Sequence, residues 1–226
     1  MTASSPPPDP VAPSRAAQAA ALQLLGQAPP SERADAARNR ARLLQAAATL
    51  IQEQGAEHLT MDAVAAAAGV GKGTVFRRFG DRSGLLFALL DETELTFQNA
   101  FMLGPPPLGP GAGPIARLEA FGTARLRHLL DNLNLYLEAD QQATARYTSP
   151  SRNVRARHIA ILLHEADVRG DLDLLAETLL GTLDPTFVHH LLARRGHDAD
   201  QLEAGWRDLV ARITHPAITR EAAHVR

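Results

Sequence analysis

The sequence predicts an all-α protein, and three observations lead to that fold class. Apolar side chains recur at helical spacing between residues 38 and 54. Leucines recur at steps of three or four residues between 171 and 195. No segment combines strand length, strict alternation and β-branched residues. With 226 residues, 45% of them hydrophobic, the chain can bury a substantial helical core.

Composition removes several functional classes. The chain has no cysteine, which excludes disulfides, thiolate nucleophiles and cysteine-ligated zinc. Its N-terminus, MTASSPPPDPVAPSR, has neither the basic start nor the apolar segment of a secretory signal. No apolar run approaches the roughly 20 residues of a membrane span. We therefore expect a cytoplasmic protein without a membrane partner.

Charge is distributed unevenly along the chain. Residues 38–90 hold seven basic and four acidic residues, a local charge of +3, whereas the remainder holds 16 basic and 21 acidic residues, or −5. A small basic segment joined to an acidic body suggests that the basic part binds a polyanion. An ordinary solvated surface explains the modest excess equally well.

The first 37 residues are rich in proline, alanine and serine, and we predict that they are disordered. A strong helix is predicted from Arg38 to Gln54, because one face carries an apolar stripe and Gly55 supplies a stop. The stripe consists of Leu44, Ala47, Ala48 and Ile51.

A second, shorter helix is predicted from Met61 to about Ala68. Thr60 is placed to cap it, and Leu59 and Val64 occupy the two positions of a hydrophobic staple. Gly69 ends it.

The stretch GVGKGT, residues 69–74, raises the alternative of a nucleotide-binding enzyme with a phosphate loop. Two positions argue against it: Ala66 stands where the motif needs glycine, and Gly73 stands where it needs serine or threonine. The preceding residues, DAVAAAAG, favour a helix over the required strand.

We instead interpret GVG as a tight turn that leads into a third helix, KGTVFRRF. On that helix Val75 and Phe79 face inward, while basic, aromatic and small residues face outward or flank the outer face. Two short helices joined by a glycine turn are typical of a helix-turn-helix, whose second helix fits the major groove of DNA. A purely structural helical hairpin is the alternative.

Residues 59–90, LTMDAVAAAAGVGKGTVFRRFGDRSGLLFALL, strongly resemble the DNA-binding signature of the TetR family of transcriptional regulators. The resemblance covers roughly residues 38–92. It includes a threonine that opens the second helix, Ala68-Gly69-Val70 at the turn, and Gly73-Thr74-Val75-Phe76 in the recognition helix. Phe76 replaces the usual tyrosine, and Arg82 replaces the usual lysine.

The resemblance implies an N-terminal three-helix helix-turn-helix DNA-binding domain over residues 38–84. This domain is joined to a larger helical domain, residues 85–214, that binds a ligand and forms the dimer. Residues 215–226 are a tail. The resemblance implies no enzyme activity, cofactor or metal. Its partners would be a palindromic double-stranded DNA operator, a second copy of the chain and an unknown small molecule that releases DNA. The predicted DNA-binding residues are Lys72, Thr74, Phe76 and Arg77 towards the bases, Thr60, Arg78 and Arg82 towards phosphates, and Gly73 on the recognition helix.

Within the body we predict helices over Arg82–Leu103, 115–140, 150–167, 171–195 and 199–214, with a loop at 104–114 and a kink at Pro185. A ligand pocket is expected between the first three. Its predicted lining residues are Phe97, Phe101, Leu129, Leu133 and Tyr136. Asn132 and Asn134 either line this pocket or lie on the solvated side.

The last two predicted helices carry apolar faces wide enough for a dimer interface. The predicted interface residues are Leu179, Leu183, Phe187, Leu191, Leu202, Trp206, Leu209 and Ile213. The alternative is that both stripes close the subunit's own core. Sequence alone also leaves open whether the body senses a small molecule or a partner protein. The adjacent His189 and His190 diverge by about 100° on a helix, so they cannot share one metal.

Overall fold

A computed structural model describes residues 30–139 and 149–215. Within these ranges the chain forms ten α-helices and one short 3₁₀ turn, Ala56–His58, and contains no strand. The all-α prediction is confirmed. No helix in the described part is long and apolar enough to span a bilayer.

The ten helices are numbered in chain order. Their bounds are α1 Pro30–Gln54, α2 Met61–Ala67, α3 Lys72–Phe79, α4 Arg82–Leu103, α5 Pro114–Asp131, α6 Leu133–Ala139, α7 Pro150–Glu165, α8 Leu172–Thr182, α9 Pro185–Arg195 and α10 Ala199–Thr214.

The first helix begins at Pro30 and not at Arg38 as predicted. Proline is favoured in a first helical turn, and the residues after it, ERADAAR, are mostly good helix formers. The predicted disorder of residues 1–37 therefore fails for residues 30–37. Residues 1–29 and 216–226 lie outside the described part.

Two predicted helices are each divided in two. The 115–140 helix breaks at Asn132, whose side-chain amide donates to the His128 carbonyl at 2.9 Å and caps the end of α5. The 171–195 helix breaks before Pro185, where the Asp184 carboxylate accepts the backbone N–H groups of Thr186 and Phe187. Asp184 therefore starts a new helix where we had predicted a kink.

The helices enclose two hydrophobic cores. The N-terminal core joins α1–α3 and the start of α4, with Leu43, Val64, Val75 and Leu85 almost completely buried. The body core is centred on Phe97, Phe101 and Phe121, whose ring centroids are 5.3–5.4 Å apart. Helix α6 contributes Leu135 and Ala139 to the N-terminal core and Tyr136 to the body core.

The C-terminal helix is held against α5 by the chain's only tryptophan. Trp206 is buried, and its indole N–H donates to the Leu118 carbonyl at 3.1 Å. Its ring occupies the space beside Gly122, where a Cβ atom would lie 1.9 Å from Trp206 Cε2. Glycine at position 122 is therefore what allows α10 to pack closely on α5.

Candidate nucleic-acid interface and internal pocket

The angle between α2 and α3 is fixed by local contacts that the sequence predicts. Thr60 Oγ1 accepts the Ala63 N–H at 3.1 Å and caps α2, and both staple residues, Leu59 and Val64, are buried. After α2 the chain turns at Gly69, whose φ of +64° lies in the region that favours glycine. The two helices are thus positioned by a cap, a staple and a glycine turn.

Helix α3 presents a basic and aromatic face to solvent. Val75 is completely buried and Phe79 is half-buried, which anchors the helix on the N-terminal core. The predicted DNA-facing residues are exposed on the outer side, except that Thr74 is half-buried. The exposed members are Lys72, Gly73, Phe76, Arg77 and Arg78.

Lys72 is held in place within this face. Its Nζ lies 2.7 Å from Asp62 Oδ2, on the preceding helix, and 5.6 Å from the centroid of the Phe76 ring. Phe76 itself is 40% exposed. Asp62 therefore neutralises part of the positive charge on a surface that would otherwise be uniformly basic.

The two arginines predicted to bind phosphates are bonded within the protein. Arg78 donates to the Ala36 carbonyl on α1. Arg82 donates to the carbonyls of Leu59, at 3.0 Å, and Ala56, at 2.7 Å, and also to Glu138. A phosphate role for Arg82 stays a prediction, but its guanidinium already supports the turn before α2.

The GVGKGT stretch joins two helices. The residues before it form α2, so the strand that a phosphate loop requires is replaced by a helix. The interpretation as a nucleotide-binding loop has no support in this arrangement.

The body contains a cavity of about 170 Å³ that borders the three predicted helices 85–103, 115–140 and 150–167, but most of its lining residues differ from the predicted ones. Phe97, Phe101 and Leu129 are buried in the solid core, and of the five predicted lining residues only Tyr136 borders the cavity. Leu133 is half-buried, and Asn134 is exposed to solvent. The cavity lies among α4, α5, α6, the start of α7 and the junction of α8 and α9.

A buried cluster of polar groups forms one side of this cavity. Glu94 accepts hydrogen bonds from Tyr136 Oη, at 2.5 Å, and from Arg155. Arg125 Nη2 lies 3.1 Å from Glu94 Oε1, and Arg125 Nη1 donates to Tyr136 Oη at 2.9 Å. His128 Nε2 is 3.1 Å from the same hydroxyl. Every member of the cluster is therefore tied to Glu94 or Tyr136.

The cluster sets the charge of its members. Burial alone would raise the pKa of the Glu94 carboxyl, but the charges of Arg125 and Arg155 hold it below its usual value. Burial, followed by the charge of Arg125, lowers the pKa of His128 to about 4. At neutral pH, Glu94 is therefore ionised and His128 is neutral.

The residues of this cluster other than Tyr136 were not predicted, although their spacing in the sequence places them at buried positions. Arg125 continues the buried stripe formed by Leu118, Phe121 and Leu129, at helical steps of three and four. Glu94 occupies the same kind of position between Leu90 and Phe97. A charge at a core position indicates a buried polar site.

A second depression, of about 210 Å³, lies between α9 and α10 and is mostly apolar. Of the predicted interface residues, Leu179, Leu183 and Trp206 are buried in the subunit's own core. Phe187 is 44% exposed, and four others are half-buried: Leu191, Leu202, Leu209 and Ile213. The predicted stripe thus divides into a core side and an accessible side.

No cluster of three or more histidine, aspartate or glutamate residues suited to a metal ion occurs in residues 30–139 or 149–215. His189 and His190 both lie exposed on α9.

Comparison with known proteins shows which family the N-terminal domain resembles. The profile of the bacterial regulatory proteins of the tetR family matches residues 43–89. An HTH-type transcriptional regulator of Staphylococcus aureus (strain bovine RF122 / ET3-1) is 38% identical over 69 residues, which are 30% of this chain and 37% of that relative. A second from strain USA300 is 38% identical over 58 residues, 26% of this chain and 31% of the relative. The match thus spans about a third of these curated relatives.

Solved structures resemble the chain over most of its length. A TetR-like regulator from Rhodococcus sp. RHA1 has a TM-score of 0.54 at 24% identity, over 77% of this chain and 94% of that one. A putative TetR-family regulator from Syntrophomonas wolfei has a TM-score of 0.61 at 11% identity, over 81% and 98%. A putative regulator from Saccharomonospora viridis, in complex with choline, has a TM-score of 0.57 at 22% identity, over 77% and 96%. These likenesses establish the fold of the whole described chain.

Proposed function

Because the N-terminal domain belongs to the tetR family of bacterial regulatory proteins, we propose that the protein is a transcriptional repressor that a small molecule releases from its DNA operator. It acts as a homodimer on a palindromic site, in the cytoplasm. Residues 38–84 bind DNA, and residues 85–214 bind the ligand and the second subunit.

The observation that carries this proposal is the outward face of α3. A short helix with Lys72, Phe76 and Arg77 exposed, and Val75 buried behind them, has the size and charge to enter the major groove. Base contacts from such a face select a sequence, while contacts to phosphates set affinity and its dependence on salt.

The internal pocket is connected to the DNA-binding domain through α6. Tyr136 borders the pocket, while its neighbours Leu135 and Ala139 pack in the N-terminal core and Glu138 pairs with Arg82. A ligand that moves Tyr136 therefore also moves residues that support α2 and α4. For DNA to be released, the ligand must bind more tightly to the conformation that has low DNA affinity.

The accessible side of α9 and α10 supports the proposed dimer. Phe187 is exposed beside the apolar depression, and the half-buried leucines around it need another surface to complete their burial. Two copies that pair here would carry two recognition helices to a two-fold symmetric operator.

The dimer is tested by Phe187→Glu, with Leu95→Glu on α4 as the matched control because both side chains are exposed apolar groups. We expect Phe187→Glu to sediment as a helical monomer with weak operator binding, and Leu95→Glu to remain a dimer. A wild-type chain that is monomeric at micromolar concentration contradicts the proposed interface.

The function itself is tested by selecting preferred DNA sequences with the purified protein and measuring affinity for the best site. Arg77→Ala should lower specific affinity at least tenfold, because a side chain facing the bases is removed, whereas Arg169→Ala, an exposed arginine after α7, should have no effect. Failure of the folded wild type to prefer any DNA sequence would reject the proposal.

A further inference from the structure

The internal cavity has two chemically different sides. One is apolar and is formed by Phe87, Leu90, Leu180, Leu183 and Pro185. The other is formed by the buried cluster of Glu94, Arg125, Tyr136 and Arg155. A ligand that fills the space should therefore combine an apolar body with a polar group.

The polar side carries an excess of positive charge. Arg125 and Arg155 both pair with one carboxylate, Glu94, and all three side chains are nearly inaccessible to solvent. Tyr136 adds no charge, because burial raises the pKa of its hydroxyl well above the usual value. The cluster therefore holds two cations and one anion.

The other acidic residues described around the cavity, Asp91 and Asp184, are not members of this cluster. The Asp184 carboxylate accepts the N–H groups that start α9, and Asp91 is exposed at the rim. The neighbouring cation Arg152 has its own partner in Glu177, at 2.6 Å. Within the cluster itself, two arginines therefore share the single carboxylate of Glu94.

Arg155 is the member of the cluster with unused capacity. A guanidinium has several N–H donors, and within the described residues the only hydrogen bond from Arg155 goes to Glu94. Burial and the nearby charge of Arg125 lower the pKa of Arg155 to about 10, so it stays charged at neutral pH in an environment that disfavours the charge. An anion placed beside it would relieve that cost.

We propose that this cavity binds a small organic anion, a carboxylate with a short apolar body, whose charged group pairs with Arg155 and whose body packs against Phe87, Leu90 and Leu183. The inference rests on the proposed function only in identifying the cavity as the regulatory site. A guanidinium matches the geometry of a carboxylate, and such charge-assisted hydrogen bonds are the strong ones.

The geometry disfavours a cationic ligand. Glu94 is the acidic group of the cluster, and it already accepts from Tyr136 and pairs with both arginines. An amine that paired with Glu94 would have to displace an arginine and leave that cation buried without its partner, which is costly. The volume of about 170 Å³ also favours a ligand smaller than typical drug-sized molecules.

The proposal is tested by calorimetric titration of the full chain with octanoate and benzoate, each compared with its neutral amide, octanamide and benzamide, at neutral pH. We expect each acid to bind the wild type at least tenfold more tightly than its amide. Arg155→Gln should reduce that ratio to within about twofold, and Arg155→Lys should keep part of it. The matched control Arg169→Gln should keep the full ratio, since this arginine is exposed outside the cavity.

Three results would overturn the proposal: equal affinity for acid and amide, no binding of either acid to the folded wild type at millimolar concentration, or tighter binding of octylamine. Since these comparisons use the wild type, they hold even if Arg155→Gln fails to fold. A circular dichroism spectrum of each variant separates lost folding from lost preference.

A parallel measurement of operator affinity separates this inference from the proposed function. An acid that binds with the expected preference without changing DNA affinity supports the anion site and contradicts ligand-controlled release. A chain that does not recognise DNA but keeps the acid preference contradicts the proposed function alone.

Discussion

Arg82 Nη2 lies 3.0 Å from Glu138 Oε2, and this ion pair connects the first turn of α4 with α6. The same guanidinium donates to the carbonyls of Ala56 and Leu59. The Arg82 side chain thus connects α4 with the turn before α2 and with α6, the helix that borders the pocket. Both partners are about one-third exposed, so the ion pair itself contributes little, and the carbonyl contacts carry most of the stabilisation.

We therefore predict that Arg82→Ala lowers the free energy of unfolding by about 2 kcal/mol, because the carbonyls of Ala56 and Leu59, both buried residues, each lose a hydrogen bond from the guanidinium. Glu138→Ala removes only the ion pair and should cost less than about 1 kcal/mol. Urea denaturation measures both. Unchanged stability of Arg82→Ala, together with a flatter salt dependence of DNA binding, would instead indicate a phosphate contact.

Asp62 limits the positive charge of the recognition surface, since its carboxylate pairs with Lys72. Asp62→Asn should strengthen non-specific DNA binding about two- to tenfold at low salt, because a negative charge is removed and a lysine is released towards phosphates. Titration of a random-sequence duplex at several salt concentrations tests this. Glu53→Gln, an exposed carboxylate on α1, serves as the control. Unchanged or weaker binding by Asp62→Asn contradicts the prediction.

Gly122→Ala should destabilise the fold by about 1–3 kcal/mol, because its Cβ would collide with the Trp206 ring. Gly181→Ala is the matched control: it lies in α8 with no atom within 4 Å of the new Cβ, so the change should be neutral or stabilising by up to about 1 kcal/mol. Thermal unfolding, followed by the fluorescence of the single tryptophan, reports on both variants. An equally stable Gly122→Ala would show that α10 can shift without cost.

Stability should fall as the pH is lowered below neutrality. Burial, followed by the charge of Arg117, lowers the pKa of His158 from the usual 6.5 to about 4. Between these values the unfolded chain binds the proton and the folded chain does not, so this stabilisation is complete above pH 6.5 and decreases as the pH falls towards 4. The slope is at most about 1.4 kcal/mol per pH unit for each such histidine, and His128 behaves alike.

His158→Gln should therefore reduce the pH dependence of the unfolding free energy, whereas His189→Gln, an exposed histidine on α9, should not. Urea denaturation at several pH values from 4 to 7 gives the slopes. Identical slopes for wild type and His158→Gln would mean that folding does not shift the pKa of this ring and would contradict the prediction.

The sequence predicted the helix-turn-helix well because its determinants are local. The Thr60 cap, the staple residues Leu59 and Val64, and the Gly69 turn each act within a few residues. The inward position of Val75 follows from helical spacing alone. The capping box of α10, formed by Asp198 and Gln201, is equally local, and that helix was placed within its observed bounds.

The lining of the pocket differs from the predicted one because it depends on contacts between distant segments. Phe97 and Phe101 have the composition of a ligand site, but Phe121 and the rings of His128 and His158 fill the space beside them. The cavity arises at the junction where α8 ends at Thr182 and α9 starts at Pro185, whereas the sequence predicted only a kink there. Spacing predicts which side of a helix is buried, but it does not predict where facing helices leave a gap.

Helix α6 has seven residues, too few to persist as an isolated helix in water. It exists because Leu135 and Ala139 are embedded in one core while Tyr136 is embedded in the other, and Leu90 on α4 packs against both. Unfolding of either core would leave α6 without support, and the other core would then lose the α6 side chains that pack in it. The two domains should consequently unfold in one cooperative transition, with a single calorimetric peak.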